Sequence, residues 1–309
     1  MTLNIKIKDA YILLIGCLLT VAANAQQDPG YTQYMYNTMV VNPGYAGSAG
    51  VLEATLLHRS QWTGIDGAPQ TQSLTVDSPL SNEKIGIGLS VVNDKLGPSN
   101  ELQFDANVSY TIAFSHDVKL AFGAKAGIRS MNVDWTKGRY YDQSDILLNS
   151  NISKTKPSVG AGLYLYTEKW YAGVSVPNFL RADYYDDVQE AVLSDRLHYY
   201  AIGGYVFDLS DNLKFKPAVM GKFVSGAPVT VDLSANFLIA EKLTAGVSHR
   251  FDDSVSALVG FQISPSLYAG YSFDYTVTRL NKYADGTHEI ILRFQLQKKA
   301  SQIKSPRFF

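Results

Sequence analysis

"ELQFDANVSYTIAF", residues 101–114, decides the fold. Leu102, Phe104, Ala106, Val108, Tyr110, Ile112 and Phe114 fall on one side of an extended chain. Gln103, Asp105, Asn107, Ser109 and Thr111 fall on the other, because strand side chains alternate between faces. The same period runs through "PVTVDLSANFLIA" at 228–240, where Val229, Val231, Leu233, Ala235, Phe237 and Ile239 oppose Thr230, Asp232, Ser234 and Asn236. It recurs at 267–278, with Leu267, Ala269, Tyr271, Phe273, Tyr275 and Val277 against Gly270, Ser272, Asp274, Thr276 and Thr278. An ordinary globular strand averages about five or six residues. These alternations hold for roughly ten or more, the length a tilted strand needs to cross a bilayer.

Working outward, strand-like segments lie near 51–62, 70–78, 84–93, 101–114, 117–133, 155–167 and 168–176. Others lie near 196–208, 211–224, 228–239, 241–251, 253–263, 265–278 and 287–297. That makes about fourteen, an even number, as in single-chain outer-membrane barrels. The two longest connections, "VDWTKGRYYDQSDILLNSNIS" and "PNFLRADYYDDVQEAVLSD", are both odd-numbered, whereas even-numbered ones such as "SHD", "TEK", "LSDN", "AEK" and "SPS" are tight. Short periplasmic turns and longer external loops are the asymmetry of such a barrel, and a β-sandwich has no reason to sort loops by parity. The expected fold is all-β: a transmembrane antiparallel barrel, apolar outside and polar within. The polar face is mostly small and uncharged, with isolated charges at Glu53, Arg59, Asp105, Lys125, Arg129, Asp232, Arg250, Asp274, Glu289 and Arg293. Charges in a lumen tend to pair, so a partly filled, salt-bridged interior is expected rather than an open pore. Trp62, Trp135, Trp170 and Tyr171 sit near strand ends, where aromatic girdles belong.

The chain has 309 residues and a formal net charge of −1, so nothing points to nucleic acid, whose binders carry a basic patch or stripe. Lys6 and Lys8, an apolar run from Tyr11 to Val21 and Ala23-Asn24-Ala25 read as a cleaved signal peptide over 1–25. An uncleaved anchor is the alternative. Leu14-Ile15-Gly16-Cys17 also resembles a lipoprotein cleavage box, although apolar residues continue past Cys17 and Asp9 leaves little apolar core before it. The expected organisation is then an N-terminal plug or periplasmic segment over 26–50, the barrel over 51–298 and a periplasmic tail over 299–309.

Catalytic chemistry is scarce. His58 and Ser60 share a strand face, so His58 could activate Ser60, but Glu53 alternates onto the opposite face and no carboxylate is placed to orient the imidazole. Asp142 with Asp145, and Asp183 with Asp186 and Asp187, could offer oxygens to Ca²⁺ but match no defined calcium loop; solvated loop acids are the simpler reading. The single cysteine lies in the leader, leaving no zinc pattern. "GIGLS" and "GAGLYLY" lack the features of phosphate loops, and their glycines read as easing strand curvature. No cofactor or metal is expected.

"DPGYTQYMYNTMVVNPGYAGS", residues 28–48, precedes the first strand. Tyr31, Tyr34, Met35 and Thr38 recur at helical spacing and Asn42-Pro43 ends the run, which predicts a short helix starting on the periplasmic side. Its aromatics need burial, so it is expected to tuck into the lumen or against the periplasmic mouth.

This segment resembles the opening motif of the PorP/SprF family of Bacteroidetes outer-membrane proteins, D-P-x-F-x-Q-Y-M-x-N-P…N-P-A-Y-A-G. The matching residues include Tyr31, Gln33, Tyr34, Met35 and Asn37, then Asn42, Pro43, Tyr45, Ala46 and Gly47. Arg59, Gln61, Trp62, Gly64, Gly67, Ala68, Pro69 and Thr71 follow the family's R-x-Q-W-x-G…G-A-P-x-T element, read as part of the barrel wall. "KPAVMGKFVSGAPVTVDLSANF", "GVSHRFDDS", "HEI" at 288–290 and "SPRFF" extend the likeness over nearly all of the chain after the leader. Thr38 stands where proline is usual, Gly44 replaces the common alanine, and Thr287 stands where serine is frequent.

The resemblance implies a non-enzymatic component of type IX secretion and gliding. Such a barrel would help export or anchor surface proteins, including large adhesins, that carry a type IX C-terminal sorting domain. Periplasmic ring and peptidoglycan-binding proteins, and outer-membrane lipid, are the other partners implied. Tyr140, Tyr141, Asp142, Tyr184, Tyr185 and Asp186, in the long external loops, are candidate docking residues. A passive porin or hydrophobic-solute transporter is the alternative function, and a lipid-modifying enzyme at His58 and Ser60 a more remote one.

Overall fold

The computed structural model describes residues 29–81, 83–115, 117–138, 151–180, 197–224 and 227–296. Its strands are β1 (Glu53–Ser60), β2 (Gln70–Pro79), β3 (Ile85–Leu96), β4 (Ser99–Ala113), β5 (Lys119–Val133), β6 (Ile152–Tyr166), β7 (Trp170–Val176) and β8 (His198–Tyr205). They continue with β9 (Phe207–Ser210), β10 (Leu213–Val224), β11 (Thr230–Ile239), β12 (Leu243–Arg250), β13 (Ser254–Ser264), β14 (Leu267–Thr276) and β15 (Thr287–Gln295). Each pairs antiparallel with its neighbours in sequence, and β15 closes the ring by pairing with β1 from Glu53↔Gln295 to Ser60↔His288. β9 continues the line of β8 past Val206 and pairs, like β8, with β10, so the wall is a closed barrel of 14 strands with one extra segment.

Closure leaves no exposed sheet edge within the wall, which is what lets strands span a bilayer with every ladder group paired. The alternation read from the sequence then sorts side chains by solvent. Phe104, Val108, Tyr110, Leu233, Val259 and Ile290 face outward and are exposed, while Asp105, Asn107, Ser109, Asp232, Ser234 and Asn236 are buried inside. Two inner-face cations that the sequence reading passed over, Lys216 and Lys222, are buried there as well.

The space within is filled by residues 31–49 rather than by wall side chains alone. This segment is a 3-10 turn at Tyr34–Tyr36, one helical turn at Thr38–Val41 and a second 3-10 turn at Pro43–Tyr45, not the single short helix expected. Asn37 and Asn42 interrupt it: both leave helical geometry, and the Asn42 side chain accepts the Gly44 N–H at 2.9 Å, a local bond that competes with helix continuation. Tyr171 also departs from expectation. It does not join a girdle but points inward and packs near Tyr164, with ring centroids 5.8 Å apart.

An outward apolar residue and its inward neighbour should respond differently to charge. Val108→Lys, near the middle of the apolar band, should cost about 2–4 kcal/mol of stability in lipid, and Val108→Leu almost nothing. Denaturant unfolding from lipid vesicles measures both.

Candidate functional site: a lumen closed by the N-terminal segment

The segment is held at three levels. Near the ends of β1, β14 and β15 that carry the odd-numbered loops, Arg59 forms buried ion pairs with Asp274 at 2.8 Å and Glu289 at 3.0 Å. The Glu289 carboxylate also accepts the backbone N–H groups of Thr32 (3.0 Å) and Gln33 (2.8 Å). Thr32 Oγ1 donates to Asp274 at 2.8 Å and receives Arg59 Nη1 at 3.0 Å. Beside this node Arg250 pairs with Asp232 at 2.7 Å and reaches the Tyr31 carbonyl at 3.5 Å.

At mid-height two hydrogen bonds pass from side chain to backbone and a third joins two side chains. Asn42 Nδ2 donates to the Leu163 carbonyl at 3.0 Å, Ser175 Oγ to the Val41 carbonyl at 2.7 Å, and Asn37 Nδ2 to Ser73 Oγ at 2.9 Å. Tyr36 lies against Tyr268, with Lys216 Nζ 5.3 Å and the Arg293 guanidinium 5.3 Å from its ring centre. Lys216 stands similarly over Tyr171 at 5.6 Å. Such cation–π contacts strengthen when desolvated. At the opposite end Tyr45 donates to Glu53 at 3.2 Å, Gln295 to the same carboxylate at 2.5 Å, and the Gly47 N–H to Asp77 at 2.7 Å.

The segment therefore runs down the lumen, with Thr32 and Gln33 toward the long-loop end and Gly47 toward the short-turn end. It does not begin at the periplasmic side as the sequence reading expected. The physical reason is the Arg59–Asp274–Glu289 node, which binds the first amides of the segment at the far end.

Wall glycines make the fit possible. A Cβ at Gly123 would fall on the Gly44 backbone, one at Gly162 on the Asn42 side chain, and one at Gly86 on the Ala46 carbonyl. Gly86 in "GIGLS" and Gly162 in "GAGLYLY" thus serve close approach of another chain segment rather than strand curvature. Between segment and wall, a cavity of about 40 Å³ remains beside Tyr31, Val41, Glu101, Asp105, Lys125 and Arg129. That is room for a few waters, at roughly 10–15 Å³ each.

Of the second motif, Arg59 and Thr71 point into the lumen, the latter donating to Asp94 at 2.6 Å. Gln61, Trp62, Gly64 and Pro69 stand in the β1–β2 turn, not in the wall. Trp62 and Gly64 take left-handed backbone there (φ 50° and 92°), and Gly64 is pressed against Asp285 of the β14–β15 connection. The turns are stitched together by Thr63 N–H to Gly286 O at 2.8 Å and Asp285 N–H to Thr63 O at 2.7 Å. Met35 and Pro43 are buried in the segment. Tyr140, Tyr141, Asp142, Tyr184, Tyr185 and Asp186 lie outside the described residues, as do Asp145, Asp183 and Asp187. The root of the first long loop is described: the Asp134 carboxylate accepts from Thr136 and pairs with Lys137 at 3.0 Å, which holds it below the usual carboxylate range.

His58 Nε2 lies 3.1 Å from Ser60 Oγ on the outer face, and among the described residues no carboxylate bonds the imidazole. Among those residues there is also no cluster of three or more metal-ligating side chains.

These features define a class: an outer-membrane β-barrel whose lumen is occupied by its own N-terminal segment. The sequence matches the family described as "Type IX secretion system membrane protein PorP/SprF" over residues 23–294, and the chain belongs to that family. Among solved structures it is similar to the CymD monoaromatic hydrocarbon channel, at 11% identity over 85% of this chain and 93% of that one, with a TM-score of 0.51. A Pseudomonas aeruginosa FadL homologue (14% identity, 89% and 96% covered, TM-score 0.48) and the P. putida toluene transporter TodX (8%, 86% and 95%, 0.49) also match. At these identities the likeness concerns the fold alone. No curated protein matches the chain. Family and fold are those of secretion or transport proteins rather than of enzymes.

Two substitutions probe the node and the seat. Arg59→Ala leaves two carboxylates buried together and should cost about 3–5 kcal/mol, read by denaturant unfolding in vesicles. Gly162→Val puts branched carbon where Asn42 sits. It should displace the segment and raise single-channel conductance in planar bilayers above that of the unaltered protein.

Proposed function

We propose that this barrel is a docking component of type IX secretion, which anchors or helps export a surface protein bearing a C-terminal sorting domain. The observation that carries the reading is the filled lumen, hydrogen-bonded to the wall at both ends and between them. A barrel closed from within has its external rim and outer wall as working surfaces. Loops 134–151 and 177–197 supply the longest stretches of that rim, and loops on a rigid scaffold are where binding residues concentrate. Tyr140, Tyr141, Asp142, Tyr184, Tyr185 and Asp186 are the contacts we assign to the passenger. On the periplasmic side, the short turns and the segment 299–309, taken as a tail, leave a face for ring or peptidoglycan-binding partners.

Passive transport is the competing function, and conductance separates the two. The intact protein should stay closed in a planar bilayer, and deletion of residues 30–47 should open it or destabilise the barrel. A large, stable current through the intact protein would sink the docking reading as a full account. Affinity purification from native outer membranes should co-purify a chain with a type IX sorting domain, and its loss on replacing both tyrosine pairs with serine would localise the contact.

A further inference from the structure

We propose that the outward face of β15 and β1, at its loop end, binds the phosphate of an outer-leaflet lipid between His58, Ser60 and His288. Strand register sets Ser60 directly opposite His288, while His58 shares the Ser60 face two residues away. These side chains are on the lipid-facing side, level with exposed Tyr271 and one or two rungs beyond exposed Leu56 and Leu292. Polar groups there are costly unless they find partners.

Two internal hydrogen bonds organise the patch. His58 Nε2 meets Ser60 Oγ at 3.1 Å, and the Tyr271 hydroxyl meets His288 Nδ1 at 2.7 Å. Where the phenol donates to Nδ1, the ring proton stays on Nε2 and His288 keeps a donor; in the other tautomer Nδ1–H donates to the phenol oxygen and the hydroxyl proton is the free donor. The serine hydroxyl supplies a second donor when His58 is protonated on the nitrogen facing it, and His58 supplies one through its other nitrogen otherwise. Gln70 and Gln72, opposite Ser60 and His58 on β2, add exposed amides. Phosphate, rich in acceptors and without obligatory donors, matches a surface of converging donors.

Electrostatics favour the same ligand. The carboxylates of the surrounding strands, Glu53, Asp77, Asp274 and Glu289, are all buried in the lumen. The connection leading into His288 carries Arg279 and Lys282 in an exposed 3-10 turn, and neither forms an ion pair among the described residues. Asp285, the one acid of that connection, is exposed and lies beside Gly64. The connection into the patch thus carries two cations against one acid, and aromatic side chains lie beside the patch, Phe273 being 5.2 Å from the His288 ring. Histidine at this height is not sufficient by itself. His249 on β12 is also outward but, among the described residues, has a ring contact with Phe251 alone, at 4.7 Å, which makes it an internal control.

The test uses the full barrel in detergent, titrated by native mass spectrometry with a diphosphorylated glucosamine lipid and with its enzymatically dephosphorylated form. Heat-modifiable electrophoretic mobility verifies the fold of each variant. The phosphorylated lipid should bind more tightly, and the double variant His58→Ala with His288→Ala should weaken it about a hundredfold, the loss expected for two hydrogen bonds to a charged group. His249→Ala should leave affinity unchanged. Equal binding of the two lipids, an equal loss in His249→Ala, or displacement by millimolar inorganic phosphate would each overturn the proposal, the last by showing a free-anion site. Should the double variant fail to fold, Ser60→Ala with Gln72→Ala carries the same expectation of weaker binding of the phosphorylated lipid, and unchanged affinity in it would overturn the proposal.

Discussion

Glu289 accepts two backbone amides and an arginine at once, and the interior of the barrel depends on that arrangement. A carboxylate buried alone would be neutralised or would unfold its surroundings; one that has Arg59 and two N–H donors can remain inside. The same bonds solve a second problem. The N-terminal segment is made of single turns, and turns too short to form a ladder leave amides that must find partners elsewhere. The wall therefore needs the segment to satisfy its charges, and the segment needs the wall to satisfy its backbone.

Once the first amides are fixed at the loop end, the rest of the path follows from volume. Gly123 and Gly162 open a channel for Gly44 and Asn42, and the tyrosines on both sides fill what remains. Tyr36 is flanked by Lys216 and Arg293, so cations that could not be left bare in a lumen rest on aromatic faces. Tyr45 and Gly47 then reach Glu53 and Asp77 at the other end. A lumen occupied in this way makes the barrel a platform, with interactions displaced to the rim and the outer wall.

Much of the wall could be read beforehand because a membrane barrel obeys one simple rule, with lipid on one side and the lumen on the other. Period two in residues 101–114 names both faces of β4 correctly. The interior was less legible. Asn42 bonds to Leu163, 121 positions away, and nothing in its local sequence announces that contact. The glycines of "GIGLS" and "GAGLYLY" look like flexibility until the segment they admit is in place. Lys216 was accessible in principle, since it alternates with outward-facing neighbours in β10, but a lysine between Phe215 and Pro217 reads locally as a surface charge.

His58 and Arg59 show how far one rule carries. They are neighbours in sequence and lie on opposite sides of a wall one strand thick. Arg59 turns inward and clamps the segment through Glu289 and Asp274; His58 turns outward and meets Ser60. Across the seam, His288 and Glu289 repeat the division, one toward Tyr271 on the lipid side and the other toward Thr32 in the lumen. A shift of register by one residue would exchange these faces, putting imidazole against the segment and guanidinium into lipid. Correct pairing of β1 with β15 is thus enforced from both sides at the point where the barrel closes. The motif residues around Arg59 and "HEI" specify that closure as much as they specify any contact of the segment itself.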